Sequence, residues 1–120
     1  RLQGPHIALQ PKTAVIVALA LHELATNAIK YGALSGPEGT VDLVWCNEED
    51  DPGRLWIEWR ESGGPPVTPP SHKGFGSRMI ERALAIELNG EATTEFHPEG
   101  LVCRLRGTLP RATGTEAADA

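Results

Sequence analysis

Leu21-His22-Glu23-Leu24-Ala25-Thr26-Asn27-Ala28-Ile29-Lys30-Tyr31-Gly32 is the stretch on which the fold turns. It closes a helix signal that opens near Lys12. Ala14, Ala18, Leu21, Ala25, Ala28 and Gly32 recur at the ~3.6-residue helical spacing, with Ile29 beside them. Pro11 near the first turn and Gly32 after the last are the start and stop punctuation of such a helix. A strip of residues this small predicts a helix that lies close against a sheet.

The sequence on either side supplies that sheet. His6-Ile7-Ala8-Leu9, between Gly4-Pro5 and Pro11, predicts a short strand. Ser35-Gly36-Pro37-Glu38-Gly39 is a plain loop. Runs 40–46 and 54–61 predict two strands around the acidic turn at 47–53, whose charges read as a solvated hairpin tip. Leu55, Ile57 and Trp59 alternate with polar or amphipathic neighbours, as in a half-buried antiparallel strand. Residues 63–76 are crowded with glycine and proline and have little capacity for helix or ladder. A second amphipathic helix is predicted over 77–88, with Met79, Ile80, Ala83, Leu84 and Leu88 apolar and Asn89-Gly90 as its stop. Two further strands, 92–97 and 101–109, flank Pro98-Glu99-Gly100. The order predicts an α+β fold over residues 1–110. It is a two-layer α/β sandwich whose mixed, mostly antiparallel sheet is covered by helices on one face. Residues 111–120, small and polar, are expected to form a flexible C-terminal tail.

Composition narrows the function. The 120 residues carry 11 Lys+Arg against 16 Asp+Glu, a formal charge of −5, and are 40% hydrophobic. That is one domain with a modest core, too apolar for a disordered segment. The acidic balance argues against a general nucleic-acid binder and against a polybasic membrane-surface protein. The longest apolar stretch, 13–21, is about half of the ~20 residues a bilayer needs, so no spanning helix is expected. Cys46 and Cys103 lie in strand-like runs, too far apart for a CxxC motif, and read as buried free thiols in a reducing cytoplasm. The opening Arg1-Leu2, without an initiator Met, reads as a piece of a longer chain.

One face of the first helix is not explained by a core. Glu23, Asn27 and Lys30 fall within a ~60° arc, with Tyr31 beside them, opposite the small residues. Ile16, Leu19 and Ala20 share that side one or two turns earlier. The polar arc is either a solvated face or one wall of a covered site. Two glycine boxes favour the site. Glu61-Ser62-Gly63-Gly64-Pro65 ends a strand in a carboxylate and a flexible turn, so backbone can approach a flat ligand while the acid accepts a hydrogen bond from it. Gly74-Phe75-Gly76-Ser77-Arg78 places glycines at the start of the second helix, where free N–H groups and the dipole favour a phosphate. No strand leads directly into Gly74, which excludes a dinucleotide-binding βαβ unit, and no GxxxxGK[ST] loop is present.

At residues 21–35 the sequence resembles the N box of the ATP-binding catalytic domain of bacterial sensor histidine kinases. More narrowly it is similar to the HWE subgroup, with His22 in the N box and Trp59-Arg60-Glu61 before the first glycine box. Gly63-Gly64-Pro65-Pro66-Val67, Gly74-Phe75-Gly76-Ser77-Arg78, Asn89-Gly90 and the ending through Leu109-Pro110 continue the match, which covers residues 4–110.

The resemblance implies the Bergerat-type (GHKL) sandwich shared with gyrase and MutL ATPases, and ATP with Mg²⁺ as its ligands. It implies that Asn27 holds the metal against the ATP phosphates, that Lys30 neutralises phosphate charge and that Tyr31 packs at the base. Glu23 would orient or deprotonate the attacking group, and Glu61 would take the adenine amino group. Gly63 and Gly64 would line the pocket. Gly74, Phe75, Gly76, Ser77 and Arg78 would meet the phosphates. Two departures are plain: the acid is Glu where most relatives have Asp, and Pro65 replaces the second glycine of the usual Asp-x-Gly-x-Gly. The segment between the boxes is short, so the lid over ATP is small. His22 is a subgroup marker or a packed, hydrogen-bonded histidine, and no chemistry is assigned to His6, His72 or His97. The acceptor histidine is therefore expected N-terminal to this stretch, on a dimerisation and phosphoacceptor domain. A response regulator receiver domain and an upstream sensor domain are the further partners implied. A GHKL-fold serine kinase or ATPase, and a degenerate docking module, are the alternatives.

Overall fold

In the computed structural model, residues 1–48, 51–65 and 75–109 are described, except for the side chains of 48, 51, 52 and 75–80. The elements in chain order are β1 (Leu2–Gln3), α1 (Pro11–Lys30), a short 3-10 turn (Ala33–Ser35), β2 (Thr40–Glu48), β3 (Asp51–Ser62), α2 (Phe75–Glu87), β4 (Glu91–His97) and β5 (Gly100–Thr108). The strands form one sheet in the order β1-β2-β3-β5-β4. Only β1 runs parallel to its neighbour; the other pairs are antiparallel. This is the expected α+β sandwich, with one correction at its edge. The N-terminal strand is Leu2–Gln3, paired with Leu43 and Val44, and residues 4–10 form no strand. The expected tail lies outside the described residues.

The alternation of β3 has its predicted consequence. Leu55, Ile57 and Trp59 point to one face, and both helices cover it. One half of the core joins Leu55 and Leu105 of the sheet to Ala20 of α1 and Leu84 and Leu88 of α2. The other half sets Ala28 of α1 on Leu43 and Trp59. Pro11 occupies the first turn of α1 as expected. At the end of α2, Asn89 adopts φ 45 and the Gly90 N–H reaches back to the Ala85 carbonyl at 3.0 Å, which terminates the helix.

The buried face of α1 differs from the small-residue strip. Thr13, Ala20 and Ala28 are the buried positions, while Ala18 is exposed and Ile29 is 59% exposed. The face is rotated by roughly 80° at ~100° per residue. The reason is α2. Ile16 and Ala20, expected on the polar side, pack against Leu84 and Leu88, so α1 is covered by a helix as well as by the sheet. A second correction concerns its length. Pro11–Lys30 is 20 residues with a mean hydropathy of 1.2, and by length and composition alone it is apolar enough to cross a membrane. That hydropathy combines its buried positions with Val15, Leu19 and Ile29 on the outer face.

The sheet's other face carries paired charges. Arg104 donates to Glu58 at 2.9 Å and lies 3.1 Å from Glu95, which in turn meets His97 at 2.8 Å. Partial burial pushes the Glu58 carboxyl up, but the hydrogen bonds from Arg104 and Arg60 outweigh it and hold the group below the ordinary carboxylate range. The hydrogen bond with His97, then the Arg104 charge, hold Glu95 low as well. A carboxylate lowered in the folded state adds stability above its unfolded pKa and loses it as pH falls through its folded one. Arg104→Gln is therefore expected to lower the thermal midpoint slightly at pH 7. The difference from the unmutated chain should vanish in melts at about pH 2–3, below the carboxylate range. An equal difference at both pH values would contradict the ion-pair reading.

Candidate nucleotide site

The candidate site residues Glu23, Asn27 and Lys30 lie in the C-terminal half of α1. Thr13 Oγ1 donates to Glu87 Oε1 at 3.1 Å, which ties the start of α1 to the end of α2. Ala20 of α1 and Leu84 of α2 belong to one core cluster. Thr13 and Ala20 of α1 are thus joined to the C-terminal half of α2. Glu23 and Asn27, one turn apart, are half-buried on the flank of the Ala20 line. Lys30 is exposed and Tyr31 is 77% exposed, so Tyr31 does not close a pocket in this structure.

Helix α2 begins at Phe75, two residues earlier than the glycine pattern predicts. Phe75, Gly76, Ser77 and Arg78 are therefore its first turn, the backbone whose N–H groups have no intrahelical acceptor. No acidic residue competes there. A phosphate would meet both those N–H groups and the positive end of the helix. Gly74 lies outside the described residues, as do the side chains of Phe75, Ser77 and Arg78.

The first glycine box is the most fully determined part. Glu61 is 3% exposed, at the end of the buried face of β3. Its Oε1 accepts from the Ala33 backbone N–H at 3.0 Å and its Oε2 accepts from the Trp59 indole Nε1–H at 2.9 Å. Residues 59 and 61 share a strand face because successive side chains alternate, which is the physical content of the Trp-x-Glu spacing. Gly32 leaves room for this carboxylate: a Cβ there would sit 2.2 Å from Glu61 Oε1. Gly63 takes φ +75, and a Cβ on Gly64 would lie 2.4 Å from the Ala33 Cα. The two glycines thus let the chain pack on its own 33–39 segment, a use the motif alone does not reveal. Ala33, 2% exposed, is the contact that sequence reasoning missed. Nothing in a plain Gly-Ala-Leu-Ser loop signals it.

His22 is exposed on α1, so it is not a packed core histidine. His97 is engaged by Glu95 on the opposite face of the sheet. A groove of about 440 Å³ on that opposite face, near Glu95, Val102 and Arg104, contains none of the α1 residues. Cys46 and Cys103 are half-buried thiols. Among the described residues no group of His, Cys, Asp and Glu could hold a metal without other ligands.

Comparison with known proteins agrees with this fold. The chain is 40% identical over 102 residues, 84% of its length, to a blue-light-activated histidine kinase of Brucella ovis. It is 41% identical over 103 residues to its counterpart in Brucella anthropi. It spans 21% of the length of these curated relatives. The histidine kinase domain of an Erythrobacter litoralis blue-light-activated histidine kinase superposes over 90% of this chain and 53% of its own, at a TM-score of 0.72 and 22% identity. That of the Escherichia coli osmosensor EnvZ covers 94% of this chain and 79% of its own, at a TM-score of 0.58 and 20% identity. No family model matches. By fold the chain matches histidine kinase catalytic domains, and by sequence it matches one stretch of blue-light-activated histidine kinases. His22 and Trp59-Arg60-Glu61 remain the residues on which the resemblance to the HWE subgroup rests.

Proposed function

We propose that this chain binds ATP with Mg²⁺ and delivers the γ-phosphoryl group to a histidine on a dimerisation and phosphoacceptor domain of the same longer protein. The phosphoryl group then passes to an aspartate of a response regulator receiver domain, under the control of an upstream sensor domain. All of this takes place in the cytoplasm. What supports this reading is the half-buried pair Glu23 and Asn27, one turn apart on α1, together with the first turn of α2, Phe75, Gly76, Ser77 and Arg78, whose N–H groups have no intrahelical acceptor.

The residues present suit the ligand. Asn27 offers an amide oxygen, a hard donor of the kind magnesium accepts. When bound there, the ion would supply neutralisation of the triphosphate charge. Lys30 adds a mobile cation at the rim, and the α2 N–H groups, with that of Gly74, hold phosphate oxygens. Tyr31 swings from its exposed position to pack at the base, and Gly63 and Gly64 keep the floor of the base pocket low. Glu61 takes the adenine amino group with lone pairs that its internal partners leave open. Glu23 orients the attacking imidazole, or accepts its proton, as the bond to the leaving ADP breaks. Such chemistry is mostly positioning and charge neutralisation, because the transition state is loose.

Titration of this chain with a fluorescent ATP analogue is expected to show saturable binding that requires Mg²⁺ and collapses on chelation. Incubation with labelled ATP should leave the chain itself unlabelled, since its acceptor lies elsewhere. Absence of binding, or equal binding in EDTA, would overturn the assignment.

A further inference from the structure

The acid at position 61 is a Glu, which has more reach than an Asp at the expense of an extra rotatable bond. Two internal donors remove that freedom here. The Ala33 N–H holds one carboxylate oxygen and the Trp59 indole N–H holds the other, in a pocket that leaves Glu61 3% exposed. Trp59 is itself 7% exposed and packed with Ala28 and Leu43, so its N–H has a fixed direction. A carboxylate has about four lone-pair sites, and these bonds occupy about two of them. The remaining ones have one orientation.

We propose that Trp59 is a positioning residue for nucleobase selection: its indole N–H pins Glu61 Oε2, so that the open lone pairs of the carboxylate accept from an exocyclic amino group and not from a carbonyl-bearing edge. This rests on the proposed nucleotide site. It assigns to the Trp of the Trp-x-Glu signature a task that the carboxylate alone does not perform. The substrate class it selects is an aminopurine with its amino group where adenine has it. A guanine presents a carbonyl there, and two acceptors then face each other.

Fluorescent ATP and GTP analogues titrated against the unmutated chain and Trp59→Phe test it. Phenylalanine keeps an aromatic ring in the core and removes the donor. ATP affinity is expected to fall on the order of tenfold while GTP affinity changes little, so the preference narrows. In a double-mutant cycle with Glu61→Ala, the Trp59→Phe effect on the ATP/GTP ratio should disappear, because Trp59 acts through Glu61. A merely structural tryptophan would weaken both nucleotides alike and add to Glu61→Ala; that outcome overturns the proposal. Failure of the unmutated chain to bind MgATP would instead overturn the site itself.

If Trp59→Phe does not fold, the indole N–H resonances of the unmutated chain decide the matter. The three tryptophans are assigned with Trp45→Phe and Trp56→Phe. The Trp59 signal is expected to resist hydrogen exchange without nucleotide and to shift when MgATP is added but not when MgGTP is. A freely exchanging or unresponsive Trp59 signal would sink the idea.

Discussion

Asn27→Ala is expected to lower MgATP affinity by about 10–100-fold, the range for removing a group that orders a metal site. The fold should survive. Position 27 lies on a half-buried flank of α1, and alanine is the best helix former, so propensity moves in the favourable direction. Titration calorimetry separates the two effects: binding in the presence of Mg²⁺ drops, while the weak background seen in EDTA stays where it was. Asn27→Asp sharpens the test. It keeps a hard oxygen in the same place and adds a charge, so it should retain more magnesium-dependent affinity than alanine does. Lys30→Ala gives the contrast. Lys30 is exposed, its contribution is screened, and its loss should be smaller and should shrink further as salt is raised. Unmutated affinity in Asn27→Ala would remove the metal role from this helix altogether.

The elements were legible in the sequence because their patterns are local. Leu55, Ile57 and Trp59 alternate, so β3 and its buried face follow directly, and Pro11 with the Gly32 stop frames α1 to within two residues. What escaped depends on partners distant in the chain. The small-residue strip of α1 points at a sheet but is silent about α2, so the packing of Ile16 and Ala20 on Leu84 and Leu88 was invisible. A two-residue strand such as Leu2–Gln3 has no periodicity to read, and its parallel pairing with Leu43 and Val44 is a purely tertiary fact. The site shows the same division. Glu23 and Asn27 share a face by spacing alone, yet the Glu61 carboxylate meets the Ala33 N–H from 28 positions away. Family likeness supplied a role for Glu61 toward a base. The structure adds that the same oxygens hold the chain's own turn, which makes this residue costly to change in two ways.

Glu61→Ala accordingly has a large expected effect on stability as well as on binding. Truncation leaves the Trp59 indole N–H and the Ala33 N–H facing each other across a buried gap, without acceptors. Each orphaned buried donor costs about 1–3 kcal/mol, so the pair removes roughly 2–6 kcal/mol. A domain of this size has about 5–15 kcal/mol in total. The urea midpoint should therefore fall well below that of the unmutated chain, with the slope of the transition unchanged. Glutamine does not repair the site. Its carbonyl oxygen satisfies one donor, but its NH₂ must then face the other, and two donors repel; Glu61→Gln should recover only part of the loss. Aspartate keeps both acceptors on a shorter stem and cannot reach Trp59 and Ala33 together without backbone movement, so it too should sit between glutamate and alanine. On nucleotide binding, measured under conditions where the variant is folded, ATP should weaken by about 1.5–3 kcal/mol, the range for a hydrogen bond to a charged group. GTP should weaken much less. Loss of stability with no change in the ATP/GTP ratio would mean that Glu61 only staples the end of α1 to β3, and that base recognition lies elsewhere.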